Sequence, residues 1–448
     1  MKRSSLFGHA IELHDAIRSN RLPADLVVRE FFRSRHYLGA KDRRFISEMV
    51  YGLIRHFKLT QVFAEEAFQQ MGNPPSAKVT PSVVLICVYC VRIAGESPDE
   101  LLPDVSGLWR VYVPGTDCKT FLETALTVSL PPSIETDATR NLAIRFSLPE
   151  MVVQEWIERY GSDETEKLCA ALNSSAPITI RVNTLATTVT HCLATLLNEG
   201  MEAQRTLLSP IGLQLGKRIN AQALQSFKSG FFEMQDEGSQ LLSMLVGAVP
   251  GSTVVDACAG GGGKTLHLAA IMNNIGSLIA IDVEENRLNN IRQRLRRAGV
   301  LIARLYLANR DDDTIDIWRG KADAVLIDAP CSGIGTFRRN PGAKLTFTGE
   351  FVESIAKTQH DVLERYSGFV KPGGRLVYST CTLLQKENEN QVSTFLAQHQ
   401  DFELRSAPEI LLQQGVRVDS GTPFLTLLPH RTTTDGFFAA VMVRRVDS

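Results

Sequence analysis

Val254-Val255-Asp256-Ala257-Cys258-Ala259-Gly260-Gly261-Gly262-Gly263-Lys264-Thr265 reads as a strand ending on an acid, a turn of glycines and the start of a helix. The glycines let the backbone approach a ligand where any side chain would clash, and helix-start N–H groups favour polar or anionic atoms. Two commoner fingerprints fail on this stretch. A Walker loop needs a glycine five positions before the one in Gly263-Lys264-Thr265, where Cys258 stands. A dinucleotide fingerprint needs a third glycine where Thr265 stands.

Working outward, strand-like runs at 253–256, 277–282, 305–308, 324–328, 375–379 and 437–443 alternate with helical stretches, the clearest at 284–297 and 349–369. This is the spacing of βαβ units and predicts a doubly wound parallel sheet, whose ligands sit at the carboxyl ends of the strands. Asp282 ends the second run, twenty-six positions after Asp256, and is placed to accept hydrogen bonds from ribose hydroxyls. An acid, a glycine loop and a second acid fit a nucleoside-like cofactor without a pyrophosphate, such as S-adenosylmethionine.

Two further strand ends carry thiols. Asp328-Ala329-Pro330-Cys331 follows the apolar run Ala324-Val325-Leu326-Ile327, and Cys381 follows Tyr378-Ser379-Thr380 fifty positions on. An acid and two cysteines gathered at one sheet edge could attack an electron-poor ring and later release it. By contrast, Cys87-Val88-Tyr89-Cys90 lies in an apolar helical run with no second CxxC and no histidine pair nearby. It reads as core rather than as a zinc or redox site. Cys118, Cys169 and Cys192 get the same reading.

The 448 residues exceed one ordinary core and predict two or three domains; 44% are hydrophobic and 22% charged. A net charge of −1 advertises no global attraction to nucleic acid, so such a partner must be met by local patches. The longest apolar runs fall short of the ~20 residues of a membrane span, and no long apolar segment follows the basic start. Eight cysteines in this length fit a reducing cytoplasm. The first sixty residues carry twelve Lys/Arg against six Asp/Glu, with Phe31, Phe32, His36, Tyr37 and Phe45 among them. This cluster reads either as a solvated helix face or as a phosphate-facing surface. Helical periodicity from Ile11 to Phe146 predicts an all-helical domain. The stretch Pro177 to Thr184, a helix at 189–199 and strand-like pieces at 211–215 predict a small α+β module. A helix is expected to open at Phe231 and run through Val246.

With these pieces assembled, the chain resembles the Sun/Fmu-type family of S-adenosylmethionine-dependent RNA (cytosine-5) methyltransferases, the bacterial rRNA enzymes and their nucleolar relatives. The resemblance is carried in family order by Arg181-Val182-Asn183-Thr184, Gln235-Asp236-Glu237-Gly238-Ser239-Gln240, the loop from Asp256 to Thr265 and Asp328-Ala329-Pro330-Cys331-Ser332-Gly333. It continues through Arg338-Arg339-Asn340-Pro341, Lys371-Pro372-Gly373-Gly374, Tyr378-Ser379-Thr380-Cys381-Thr382, Glu387-Asn388-Glu389 and Asp435-Gly436-Phe437-Phe438. The amino-terminal block around Asp42-Arg43-Arg44-Phe45-Ile46 is similar to the family's helical NusB-like domain.

The resemblance implies a helical RNA-binding domain over 1–146, a small α+β, RRM-like module over 147–235 and a Rossmann-like class I methyltransferase domain over 236–448. It makes Cys381 the nucleophile that adds to carbon 6 of cytosine, Asp328 the contact to the base near N3, and Cys331 the thiol that helps release the product. It assigns the cofactor to Cys258, Ala259, Gly260, Gly261, Gly262, Gly263, Lys264, Asp282, Arg287, Asn309 and Asp328. The chain departs from the family at Gly260-Gly261, where Ala-Pro is usual, and at Asn309, where an aspartate toward the adenine is usual and Asp311 follows two positions on.

The target base must be unstacked to reach such a pocket, so RNA read in a loop or opened helix is the implied partner, with 16S-type rRNA the implied target. Lys264, Arg338, Arg339, Arg292, Arg294, Arg296 and Arg297 are candidate phosphate contacts. Gln235 and Asp236 are expected to shape the pocket. A cytoplasmic monomer using neither metal nor membrane is expected. Two other readings compete: an amino-methyltransferase on nucleic acid, which would leave both strand-end thiols unexplained, and a non-catalytic ribosome assembly factor that keeps the fold as a scaffold.

Overall fold

The computed structural model describes residues 1–20, 22–72, 80–217, 220–308, 313–419 and 421–446. They form two compact units, Met1–Ser174 with Phe337–Thr348, and Ser175–Thr336 with Gly349–Ser448.

The first unit is all-helical, running from Arg3–Ser19 to Ser162–Asn173. In the helix Ala40–Arg55, Ile46, Met49, Val50, Leu53 and Ile54 recur at threes and fours and are all buried, the stripe that a core-facing helix needs. The helix Ser82–Arg92 is buried nearly all round; Cys87 and Cys90 pack inside it, with Cys90 Sγ 3.8 Å from Met49 Sδ. Burial pushes the Cys87 thiol well up, as for an inert core cysteine.

The segment Phe337–Thr348 is remote in sequence but belongs to this unit. Lys344 Nζ donates to the Phe146 carbonyl at 2.8 Å and to Asn173 Oδ1 at 2.6 Å, while Arg55 donates to the Arg338 carbonyl at 3.1 Å. Burial, reinforced by Arg55, brings Lys344 down to about 7. Much of the amino-terminal basic excess is internally paired: Arg3 with Glu96 and Asp104, Arg35 with Glu12, Arg44 with Glu48, Arg33 with Glu30. Arg35 also sits over the Phe31 ring, 3.8 Å from its centroid. Arg29 and Lys41 stay exposed, and Arg21 lies outside the described residues.

The second unit begins with β1 (Ile178–Val182), β2 (Ala203–Arg205), β3 (Gly212–Leu215) and β4 (Phe232–Met234), an antiparallel sheet in the order β2-β3-β1-β4. The helix Val189–Asn198 joins β1 to β2. The helix expected to open at Phe231 is thus preceded by a strand. Phe232 lies opposite Val182 on β1, and the helix Glu237–Leu245 starts only where Asp236 Oδ1 accepts from Gly238 N at 2.8 Å.

The larger sheet contains β5 (Thr253–Asp256), β6 (Ser277–Asp282), β7 (Ala303–Leu307), β8 (Ala322–Asp328) and β9 (Val370–Thr380). β10 (Phe402–Arg405), β11 (Leu425–Leu427) and β12 (Phe437–Arg444) follow. Its order is β10-β12-β9-β8-β5-β6-β7, with β11 on β12. β7-β6-β5-β8-β9 are parallel; β5, β6, β8 and the second half of β9 are buried along nearly all their length, as their apolar runs require, while β7 at the sheet's edge is half-buried to exposed. β12 is antiparallel to β9, and β10 and β11 are antiparallel to β12. The sheet is therefore Rossmann-like and mostly parallel, with an antiparallel edge. Strand order reverses between β5 and β8, which marks the ligand crevice at their carboxyl ends.

Glu233 on β4, only 2% exposed, accepts from Arg294 at 2.9 Å and Arg297 at 2.5 Å, both on the helix Glu285–Ala298. Arg294 also donates to the Gly261 carbonyl in the glycine turn. Removing the carboxylate in Glu233→Ala leaves two arginines unpaired. Each arginine is about a quarter exposed, so the cost should fall below that of a fully buried pair, about 2–3 kcal/mol. Equilibrium urea unfolding measures it, and a change under ~0.5 kcal/mol would mean the bridge is not a structural tie.

Candidate active site at the strand ends

Asp256 closes β5 fully buried, with Oδ2 accepting from Thr265 Oγ1 at 2.6 Å; Oδ1 has no hydrogen-bond partner among the described residues. Burial, against the Thr265 hydrogen bond, raises its pKa to about 6. The chain then turns through Gly260 and Gly262 at φ of +55° and +78°, a backbone that side chains resist, into the helix Gly263–Ile271. A Cβ at Gly262 would also lie 2.9 Å from Ile291 Cγ1. At Gly260 and Gly263 a Cβ would meet nothing nearer than 3.9 and 3.8 Å, so neighbouring protein atoms do not exclude side chains there. Cys258 is half-buried and Ala259 buried; burial pushes the Cys258 thiol up.

Asp282, at the end of β6, accepts from Gly260 N and from Glu284 N, each at 2.8 Å. Each carboxylate oxygen keeps a second lone pair. Arg287 lies 4.0 Å from Asp282 and 2.8 Å from Glu284. Asn309 and Asp311 lie outside the described residues. The residues that remain fit a nucleoside: a glycine turn without crowding side chains, a helix start, and an anchored carboxylate for a diol.

Across the crevice, Asp328 ends β8. Its Oδ2 accepts from Lys264 Nζ at 2.6 Å and its Oδ1 from Ser379 Oγ at 3.3 Å. Lys264 is buried and its pKa is raised: burial alone would lower it, but Asp328 outweighs that. This pairing of a buried lysine with a half-buried carboxylate removes Lys264 from the candidate phosphate contacts. Arg338, at 4% exposed, leaves them too, while Arg339 is exposed. Arg294 and Arg297 are committed to Glu233, and Arg292 and Arg296 remain exposed.

The two thiols meet. Cys331 Sγ and Cys381 Sγ are 3.2 Å apart, and Cys381 N donates to Cys331 Sγ at 3.3 Å. The hydrogen bond with Cys381 and burial push the Cys331 thiol well up. Behind them, Glu387 accepts from Ser332 beside Cys331 and from Thr382 beside Cys381. Asn388 bonds Thr380 Oγ1 at 2.6 Å and the Thr382 carbonyl at 3.0 Å. The Glu387-Asn388-Glu389 motif was visible in the sequence, but nothing local showed where Glu387 would reach. Gln235 accepts from Arg181 Nε at 2.7 Å and stands beside Gly263; Asp236, besides its cap, accepts from Asp435 N at 3.3 Å.

The strand order, the glycine turn and the strand-end acids define a Rossmann-like methyltransferase. The chain belongs to the family described as 16S rRNA methyltransferase RsmB/F, whose model matches residues 243–443, and the RsmF/B-like, ferredoxin-like domain matches residues 148–222. It is 30% identical, over 99% of its length and 100% of the relative's, to a Bacillus subtilis protein named "probable ribosomal RNA small subunit methyltransferase B". It is 35% identical, over 55% of its length and 54% of the relative's, to ribosomal RNA small subunit methyltransferase B of Pseudomonas syringae. Among solved structures, PH0851 matches with a TM-score of 0.74 and 25% identity over 99% of both chains. A methyltransferase homolog protein from Pyrococcus horikoshii matches with 0.59 and 27% over 70% of this chain and all of that one.

Asp256 gives this site a pH signature. Its folded pKa lies above the ordinary 3.8, so the native state binds this proton more tightly than the unfolded chain. The group therefore costs stability progressively as pH rises from about 4 through about 6, and fully above that. Asp256→Asn keeps an acceptor for Thr265 without the charge. Its melting temperature relative to the unsubstituted protein should rise between pH 4 and pH 7; a flat difference would contradict the assigned burial cost.

Proposed function

We propose that this chain transfers a methyl group from S-adenosylmethionine to carbon 5 of a cytosine in small-subunit ribosomal RNA, through a covalent adduct between Cys381 and carbon 6. The observation that carries this reading is the pair of thiols, 3.2 Å apart, beside Asp328 at the carboxyl ends of β8 and β9. The names of the relatives, ribosomal RNA small subunit methyltransferases, support the substrate class.

Carbon 5 of cytosine is a poor nucleophile until the ring's aromaticity is broken. The Cys381 thiolate adds to carbon 6, and the electron pair of the 5,6 double bond moves into the ring toward N3. Asp328, held by Lys264, meets the base edge there, so the pair can offer a hydrogen bond where charge develops. The cofactor supplies an electrophilic methyl group that carbon 5 takes up. Loss of the carbon 5 proton to solvent water then restores the double bond as the bond from carbon 6 to sulfur breaks, its electron pair leaving with the Cys381 sulfur. Cys331, hydrogen-bonded to Cys381 Sγ, stabilises the departing thiolate. The cofactor would be held by the turn from Cys258 through Gly263, with Asp282 on its ribose and Arg287 at the rim; Asn309 is proposed for the adenine. A mere scaffold would have no use for a Lys264–Asp328 pair beside two adjoining thiols, and an amino-methyltransferase has no use for the thiols.

Labelled methyl transfer to unmodified small-subunit rRNA, followed by bisulfite mapping, should give a single protected cytosine. Cys381→Ala should lower transfer by roughly a thousandfold or more, the scale of losing a nucleophile, and trap no RNA. Cys331→Ala should accumulate a denaturant-resistant protein–RNA adduct. Adduct in the Cys381 variant instead would reverse the two roles, and no transfer to any rRNA despite cofactor binding would leave the scaffold.

A further inference from the structure

Behind the two thiols stands a buried carboxylate that the steps above leave unused. Glu387 is fully buried; Oε2 accepts from Ser332 N at 2.8 Å and Gln359 Nε2 at 2.9 Å, and Oε1 from Ser332 Oγ at 2.5 Å and Thr382 Oγ1 at 2.9 Å. Ser332 follows Cys331 and Thr382 follows Cys381, and the two hydroxyl oxygens stand 2.9 Å apart. One side chain thus clasps both cysteine-bearing turns. Gln359 Nε2, on the helix Gly349–Ser367, also donates to the Pro330 carbonyl at 2.9 Å, which pins the first turn from its other side.

Burying a carboxylate costs several kcal/mol before its partners offset that. With four donors converging on it, the side chain must accept on both oxygens, which a carboxylate does and an amide does not. A fixed negative charge differs from an amide in opposing a second anion nearby, and the two turns are not equally engaged. Ser332 gives Glu387 both its N–H and its hydroxyl, while Thr382 gives only its hydroxyl. The clasp is therefore tighter on the Cys331 side. After the hydrogen bond with Cys381, burial and the Cys381 charge, Glu387 is a further cause that pushes the Cys331 thiol up.

We propose that Glu387 is the positioning residue that assigns the two cysteines their different roles, setting the sulfur separation through Ser332 and Thr382 and confining negative charge to Cys381. The proposal deepens the covalent reading above and rests on it, but the deciding measurement needs neither RNA nor cofactor. Glu387 touches no reacting atom; it acts through the turns.

The full-length protein is treated with iodoacetamide at pH 8, and carboxamidomethylation of each cysteine is followed by mass spectrometry. The thiolate alkylates, so unsubstituted protein should label Cys381 at least ~10 times faster than Cys331. Glu387→Gln removes the charge at nearly constant volume and should bring that ratio to ~3 or less. Glu387→Asp keeps the charge but shortens the reach, and should retain the preference. An unchanged ratio in Glu387→Gln would overturn the proposal, as would equal loss in both variants, since that is the mark of a tie without electrostatic selection. If Glu387→Gln does not fold, Thr382→Val removes one hydroxyl of the clasp. It should slow single-turnover methyl transfer ~10-fold at unchanged RNA affinity, and an unchanged rate there would overturn the clasp. If methyl transfer proves absent altogether while the labelling ratios behave as stated, the covalent reading fails and the assignment of charge stands.

Discussion

The register between β8 and β9 is the constraint on which the site depends. In this parallel pair Asp328 stands opposite Ser379, and the ladder runs on past the strand ends, with Ala329 N donating to the Ser379 carbonyl at 2.8 Å. Cys331 is three residues beyond Asp328 and Cys381 two beyond Ser379, so the chains leave the sheet side by side and their sulfurs meet. A slip of one residue would turn Asp328 to the opposite face and carry the thiols apart. The exit turns are equally confined. A Cβ at Gly335 would lie 2.2 Å from the Gly436 carbonyl oxygen and 2.8 Å from that of Cys381, so only glycine lets these three segments close up.

The same register explains why so much of the site was legible. Each acid, glycine and thiol ends or follows an apolar run, and in a parallel sheet such ends gather at one edge without any knowledge of tertiary detail. The glycine turn excluded two rival fingerprints by single positions, Cys258 and Thr265. What could not be read were facts settled by partners distant in sequence. Phe231 to Met234 carries aromatic residues that suit either a strand or a helix, and β1 decides between them. Strand β9 begins five residues before the apolar run does, because Lys371-Pro372-Gly373-Gly374 is held in the sheet, with an irregularity opposite Ala322 to Ala324. The short outer strands β10 and β11 have too few residues to show a period.

Charge was the poorest guide. Lys264 and Arg338 both look like residues for phosphate, yet the first neutralises Asp328 and the second is packed within the helical unit. In the helical unit, carboxylates such as Glu96 and Asp104 lie ninety or more residues from Arg3, which they bind. A local count of cations cannot see them. Among the described residues, the sites that keep a free basic surface are fewer than the composition of any short window implies.

The membership of Phe337–Thr348 in the helical unit has a consequence for the order of synthesis. The unit's first part is complete at Ser174, yet its last piece leaves the ribosome only after a further 162 residues of the other unit have been made. At 5–20 residues per second this is a delay of roughly 8–30 s. Through that interval Asn173 and the Phe146 carbonyl have no Lys344 to bind. The nascent helical unit therefore waits, with one seam open, for a strip encoded in the middle of its neighbour.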